Sequence, residues 1–374
     1  MLLKPTSDVV FNDDLVVVRK TQVSELYNML NPNTKVNTKL DVEFFGDPLK
    51  YIWGWKGTGK TTMLRWFERK VQGMEIKFIY LNCRVYATPS KLIDEIGRRF
   101  NALFPDFVSS EVVDRAIIAD YVKYINDKQV FLILDEIDKP LRNSKTTQPD
   151  EFLHFLIRLV NENKKNLFKV VFSTNIVNIE RFLSDEVISF LSGSKIVFGV
   201  YSVPEMVSIL EKRAKKALIN GSYEKKDLII ISNMTHEAFD GDIRTALNML
   251  NKLANKSKEK LDMTKLNTVL NEINFEFLRK EVLSFPRGAQ ILLKSLLIRQ
   301  QGQGVEYNLS FDSEEGYKQY VSFCNQEQYK ATQKAMFYRY LQALQDSMII
   351  NKTSKGYIIS ENPKKLQSCL NTII

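Results

Sequence analysis

The sequence predicts an α/β fold with a parallel sheet, followed by an all-helical domain and a small helix-turn-helix domain that closes with a β-hairpin. Three observations predict it. Strand-like and helix-like runs alternate through the first two hundred residues, as a parallel sheet covered by crossover helices requires. From Ser202 the apolar spacing turns helical, and strand-like runs stop until about residue 349. The last ninety residues hold three helical patterns and then two short apolar runs split by Lys352-Thr353-Ser354-Lys355-Gly356. The domains expected are 1–200, 201–284 and 285–374, with Pro286-Arg287-Gly288 punctuating the second boundary.

The first element with a chemical signature is residues 54–61, Gly-Trp-Lys-Gly-Thr-Gly-Lys-Thr. It follows a strand-like 49–53 and opens a helix at Thr62-Met63-Leu64. This is the G-x-x-x-x-G-K-[ST] phosphate loop. Glycines Gly54, Gly57 and Gly59 are expected to adopt backbone angles that a Cβ would forbid. They turn the N–H groups of Trp55, Lys56, Gly57, Thr58, Lys60 and Thr62 toward a polyphosphate at a helix N-terminus. Lys60 would supply a point charge to the β and γ phosphates, and Thr61 a hydroxyl to Mg²⁺. ATP or ADP with Mg²⁺ is the cofactor implied.

Further strands are expected at 76–82, 130–135, 169–174 and 195–200. The strand at 130–135 delivers Asp135-Glu136-Ile137-Asp138 at its C-terminal end. Asp135 would hold Mg²⁺ through its water shell, and Glu136 would polarise an attacking water. Asn175 follows the next strand. It would lie beside a γ-phosphate, or simply form a turn or cap.

Ser202-Val203-Pro204-Glu205 reads as a capping box, with Met206, Ile209, Leu210 and Ala214 on the buried stripe behind it. Gly241-Asp242-Ile243-Arg244 opens a later helix whose buried stripe is Ile243, Ala246, Leu247 and Leu250. Arg244 lies off that stripe, available either to a phosphate across the cleft or to a surface ion pair. Lys212, Arg213, Lys215 and Lys216 are expected on a solvated helix face.

In the last domain, helical patterns centre on Ile291–Leu297, on 317–324 and on 331–345, with Gln301-Gly302-Gln303-Gly304 as a turn. In the third, Phe337, Leu341, Leu344 and Met348 share one face, and Lys334, Tyr338, Gln342 and Gln345 the other. Lys334, Tyr338 and Gln342 could reach base edges, and Lys352 and Lys355 at the hairpin tip could reach phosphates or the minor groove. The alternative is a protein-contact surface with a solvated basic face.

The totals agree. The chain has 374 residues, a formal net charge of +9 and a pI near 9.1, which favours a polyanionic partner, either nucleic acid or an acidic membrane surface. Three widely spaced cysteines, Cys83, Cys324 and Cys369, suggest a reducing interior and no structural metal. His154 and His236 have no metal-spaced partners. No apolar run reaches the length of a membrane span and no signal peptide is evident, so a cytoplasmic, nucleoid-associated protein with no membrane partner is expected.

Together these motifs resemble the AAA+ ATPases, and within them the archaeal origin-recognition initiators of the Orc/Cdc-six type. The resemblance spans about residues 18 to 356. It rests on Arg19 through Leu30, Leu-Asn-Cys-Arg at 81–84, Leu-Asp-Glu-Ile-Asp-Lys at 134–139 and Ile-Val-Phe at 196–198 with Tyr201. Ile-Leu-Glu-Lys-Arg-Ala at 209–214 and Gly-Asp-Ile-Arg at 241–244 complete it. It implies an AAA+ P-loop ATPase domain, a helical lid and a winged-helix DNA-binding domain. It makes Asn175 the sensor-1 residue and Arg244 the sensor-2 arginine. Residues 88–120 would carry the initiator-specific helical insertion that touches DNA. The implied function is ATP-dependent initiation of DNA replication. The implied partners are double-stranded DNA and, as an open second, a replicative helicase; the protein would be a monomer or a DNA-assembled oligomer.

One departure bears on turnover. Family members usually carry a finger arginine in the segment matching 183–191, where this chain has Glu186, Ile188 and Phe190 at the candidate positions and Arg181 out of register. Slow ATP hydrolysis is therefore expected. The rival readings are a nucleotide-gated DNA-binding regulator of a plasmid or promoter with little turnover, and a transposition regulator or clamp-loader-like protein. The winged helix argues against a clamp loader.

Overall fold

The computed structural model describes residues 18–30, 46–71, 76–86, 88–104, 115–125, 129–142, 150–163, 167–176, 179–302, 310–354 and 356–371. It divides into two compact units, Met1–Met263 and Thr264–Ile374.

The first unit opens with α1 (Lys20–Tyr27), β1 (Leu49–Gly54), α2 (Lys60–Val71), β2 (Ile76–Asn82), α3 (Pro89–Leu103) and α4 (Arg115–Tyr124). It continues with β3 (Gln129–Asp135), α5 (Asp138–Arg142), α6 (Glu151–Glu162), β4 (Phe168–Thr174), α7 (Asp185–Ser192) and β5 (Lys195–Phe198). The strands form one parallel sheet in the order β2-β3-β4-β1-β5. β3 and β4 are buried at every position: β3 is an unbroken apolar run from Val130 to Leu134, whereas β4 buries Lys169, Ser173 and Thr174 beside its apolar residues.

Period-two alternation splits β3 between two cores. Val130, Leu132 and Leu134 pack with α3, α4 and α6 through Leu92, Ile96, Phe100, Tyr121 and Leu156. Phe131 and Ile133 face the other way, against Leu26, Leu64 and Phe67 of α1 and α2. The order places the end of β1 between the ends of β4 and β5. Loops leaving the C-terminal ends of neighbouring parallel strands therefore converge there.

At the opposite end of the sheet Lys169 is buried, with its Nζ donating to the Gly46 carbonyl. Burial pushes this ammonium down to about 7, against the pull of Asp47. Lys50 nearby is paired with Glu25 and Asp47, each at 2.8 Å.

The rest of the unit is helical: α8 (Val203–Ala217), α9 (Lys225–Ala238) and α10 (Ile243–Lys256). The expected capping box starts α8, with the Ser202 N–H donating to Glu205 at 2.8 Å. Arg213 corrects the solvated-face expectation, because it is buried. It stands four residues after Ile209 and three after Leu210, on the stripe that those residues bury. Leu247 is only partly buried, and Met249 fills the stripe in its place.

The second unit contains α11 (Leu266–Ser284), α12 (Arg287–Gly302), α13 (Ser313–Gln326), α14 (Lys334–Asp346), β6 (Ile350–Thr353), β7 (Gly356–Ile359) and α15 (Pro363–Leu370). β6 and β7 form an antiparallel hairpin, and Phe311 adds a bridge to Tyr357 beside it. Gly356, with φ of 115°, comes so close to the Phe311 carbonyl that a Cβ would collide with it. The core joins Leu292, Leu296, Phe323, Phe337, Leu341 and Leu344 to Ile350 and Ile359, which is a winged helix.

Two expectations are corrected. Met348 is exposed rather than on the buried face of α14, because the helix ends at Asp346 and Met348 adopts a φ of 60° in the turn beyond. Gln301 and Gly302 belong to the end of α12; Gln303 and Gly304 lie outside the described residues.

Candidate functional site

The phosphate loop joins β1 to α2. Gly57 and Gly59 have φ of 80° and 92°, the left-handed region in which glycine is needed. Gly54 is required for a different reason than expected. Its φ is not positive; a Cβ there would collide with the Phe198 carbonyl oxygen on the paired β5. Within the loop, Thr58 is buried and its Oγ1 donates to the Trp55 carbonyl at 2.8 Å. Lys56 and Thr61 are exposed, and Thr62, the third residue of α2, is partly buried. Trp55 is half-exposed and leans on Trp53 with ring centroids 6.3 Å apart. The Trp53 indole donates to the Ile176 carbonyl at 2.8 Å, which ties the end of β1 to the segment carrying Asn175.

Lys60 is buried. Its Nζ donates to Gly54 O at 2.6 Å, Trp55 O at 2.8 Å and Asn175 Oδ1 at 2.7 Å. Burial pushes its pKa down to about 8, while the carboxylates of Asp135, Asp138 and Glu136 oppose the shift. Asp135, fully buried at the end of β3, accepts from Thr61 Oγ1 at 2.7 Å, from the Tyr80 hydroxyl at 2.6 Å and from Ser173 Oγ. Burial, then Asp135 itself, holds the Tyr80 phenol well above its ordinary value, so Tyr80 stays a donor. A hydroxyl and a carboxylate in contact at a phosphate loop suit Mg²⁺, which takes one or two hard oxygen ligands from protein and the rest from phosphate and water.

Glu136 has a φ of 60°, fixed in part by its N–H donating to Ser173 Oγ at 3.1 Å. Its carboxylate pairs with Arg84 Nε at 2.6 Å and accepts a long bond from Asn175 Nδ2 at 3.4 Å. Asn175 therefore touches both Lys60 and Glu136. Asp138 holds that end of β4, accepting from Thr174 Oγ1 and from the Asn175 N–H at 3.4 Å.

The sheet thus brings Lys60, Thr61, Asp135, Glu136 and Asn175 together. Arg244 also comes near, close enough to Lys60 to depress its pKa. Arg244 takes the ion-pair alternative: its Nη2 lies 2.9 Å from Asp242 Oδ2, and its Nε lies 3.2 Å from Oδ1. Sequence reasoning assigned no role to Tyr80, Arg84, Asp138 or Ser173. Arg84 and Asp138 stand in the 81–84 and 134–139 runs that carry the resemblance; the local signal of Tyr80 and Ser173 is only their place near the C-terminal end of a strand.

Arg19 joins this end from the N-terminal side. Its Nη2 donates to Gly199 O at 2.6 Å and to Thr58 O at 3.4 Å, and its guanidinium lies 4.0 Å from the Tyr201 ring centroid. The Tyr201 hydroxyl occupies the space that a Cβ on Gly59 would need. The root of the helical domain is thereby seated on the phosphate loop.

In the winged helix, α14 presents Lys334, Tyr338 and Gln342 to solvent. Each has a neighbour. Lys334 pairs with Glu314, Tyr338 OH lies 3.5 Å from Ser313 Oγ, and Gln342 donates to Asp346 at 2.7 Å. Lys352 is exposed, its Nζ 5.8 Å from the Tyr357 ring centroid. Lys355 lies outside the described residues. Arg339, which sequence reasoning passed over, is exposed three residues before Gln342 on the same helix. The i, i+3 spacing was its available signal.

Comparison with known proteins follows the same division. An AAA domain model matches residues 42–183, a Cdc6 AAA+ ATPase-type lid domain model 207–264, and a Cdc6 C-terminal winged-helix domain model 280–361. The chain is 25% identical over 291 residues to ORC1-type DNA replication protein 1 of Archaeoglobus fulgidus, covering 74% of this chain and 67% of that protein. It is 24% identical over 324 residues to the ORC1-type DNA replication protein of Pyrococcus abyssi, covering 82% and 72%. Among solved structures, the Aeropyrum pernix ORC1 protein in complex with DNA superposes with a TM-score of 0.76 at 20% identity, over 100% of this chain and 97% of that one. Cdc6p from Pyrobaculum aerophilum gives a TM-score of 0.57 at 20% identity, over 100% and 98%. These superpositions establish the fold.

Proposed function

The chain belongs to the AAA+ proteins of the Orc1/Cdc6 type, and from that premise we propose that it is an ATP-binding DNA replication initiator that grips duplex DNA through its winged helix. The observation that carries the nucleotide half is the Lys60, Thr61 and Asp135 cluster at the end of β1, backed by Asn175. The glycine loop and the N-terminus of α2 would cradle the phosphates. Lys60 would neutralise the β and γ oxygens, and Thr61 with Asp135 would hold Mg²⁺, which neutralises charge on the transferring phosphoryl group. Glu136 would hold the attacking water and Asn175 would align it with the γ-phosphate. The DNA half is supported by the net charge of +9 and by the relatives' names. It is supported also by the exposed Lys334, Tyr338, Arg339, Gln342 and Lys352. The residues of α14 would lie in or beside the major groove, and Lys352 would reach phosphates or the minor groove.

Two observations favour slow turnover, and so a protein that uses ATP chiefly as a conformational signal. Residues 183–191 contain no arginine to serve a neighbouring subunit. Glu136 is held by Arg84 and must be released before it can act on a water. A nucleotide-gated regulator with little turnover is the second reading, and the same two observations favour it. Footprinting on duplex fragments from the protein's own gene neighbourhood tests the proposal. A discrete protected site that changes with ATP·Mg²⁺ is expected; uniform coverage indifferent to nucleotide counts against an initiator.

A further inference from the structure

The turn into α10 brings a negative charge to a loop designed for anions. Asp242 caps this helix, its Oδ1 accepting from the Arg244 N–H at 2.9 Å. The turn is fixed by the Asp242 N–H donating to Phe239 O at 3.0 Å and by Gly241, whose φ is 68°. The carboxylate lies against the phosphate loop, in the space that a Cβ on Gly57 would occupy. Both of its oxygens also take the Arg244 guanidinium, in a two-point contact. The Asp242 side chain is 21% exposed and that of Arg244 63%. One carboxylate thus does three things at once: it caps a helix, abuts the phosphate loop and holds Arg244.

We propose that Asp242 is a positioning residue that competes with nucleotide phosphate for Arg244 and for the phosphate loop. The inference rests on the nucleotide-binding reading above and adds to it a named antagonist within the chain. A polyphosphate and a carboxylate both seek the loop N–H groups, the positive end of α2 and the Arg244 guanidinium, and each repels the other. Phosphate arrival therefore requires Arg244 to exchange partners and the Asp242 carboxylate to give way. Because Asp242 is the N-cap of α10, that displacement moves the helical domain against the loop. The exchange converts phosphate occupancy into a change of lid position, and Asp242 sets how much phosphate affinity it takes.

Asn and Ser cap helices about as well as Asp, so Asp242→Asn and Asp242→Ser remove the charge while keeping the fold. ATP·Mg²⁺ and ADP·Mg²⁺ titrations by calorimetry on the full chain, at fixed salt, test the proposal. Both variants should bind ATP about twofold to fivefold more tightly than the wild type, the range expected for releasing a mostly exposed ion pair. The loss caused by Arg244→Ala should grow by a similar factor in the Asp242→Asn background, so the two effects are not additive. A purely structural role for Asp242 would not move that coupling. Unchanged or weaker ATP binding in both variants, or simple additivity with Arg244→Ala, overturns the proposal. Failure of the wild type to bind ATP·Mg²⁺ overturns the nucleotide reading itself, a separate result seen before any variant is made.

Discussion

The nucleotide site and the face of the winged helix are built on opposite principles. At the phosphate loop the buried Lys60 and Asp135 anchor a network that crosses strands: Lys60 on Asn175, Thr61 and Tyr80 on Asp135, Asp138 on Thr174. On α14 Lys334, Tyr338 and Gln342 are exposed, and their partners Glu314, Ser313 and Asp346 are themselves exposed or only partly buried. A buried network is costly to leave half-made, so single changes there have large effects. An exposed face exchanges its own weak pairs for those of a ligand, and each residue contributes little.

The largest effect expected from that contrast is on turnover. Glu136→Gln should retain ATP binding while lowering single-turnover hydrolysis by about 10²–10⁴-fold, the usual contribution of a positioned general base. Equal rates in variant and wild type would remove Glu136 from the chemistry. Next is Lys60→Ala, which deletes a charged, multiply bonded donor and should weaken ATP binding by about tenfold to a hundredfold in calorimetry.

The same lysine gives a pH test. With its pKa pushed down by burial to about 8, Lys60 loses its charge progressively as pH rises through 8, and a proton must then be regained to hold phosphate. Wild-type affinity should therefore fall by up to about tenfold per unit above pH 8 and stay level just below it. The Lys60→Ala variant should show no such fall. The smallest effect belongs to the exposed face. Lys352→Ala should reduce the slope of log affinity against log salt for duplex DNA by about 0.9, with little dependence on sequence. A loss there as large as that at Lys60 would erase the contrast between the two regions.

The contrast also explains what was legible in the sequence. The strand at 130–135 was readable because burial on both faces demands a continuous apolar run. The phosphate loop was readable because its constraints are local, although Gly54 proved to serve an approach to Phe198 rather than a backbone angle. Arg84, Asp138, Tyr80 and Ser173 were not readable as partners. Their contacts depend on the order β2-β3-β4-β1-β5, which no local pattern encodes. Arg213 was misplaced because its charge was weighed above its spacing from Ile209 and Leu210. Met348 was misplaced because a helical period was carried past the helix end. The ion pair of Arg244 was one of two open readings; its partner is only two residues away, at the helix cap.

The central claim is that nucleotide held at the phosphate loop alters the grip of this protein on duplex DNA. Its most direct test is the affinity of the full chain for a labelled duplex, followed by fluorescence anisotropy without nucleotide, with ADP·Mg²⁺ and with ATP·Mg²⁺. Lys60→Ala, measured in parallel, serves as the control. The account predicts that the wild type binds duplex with an affinity that differs between ATP and no nucleotide, and that Lys60→Ala binds the same duplex with no such difference. Wild-type affinity identical in all three conditions, or no duplex binding at all, would contradict it.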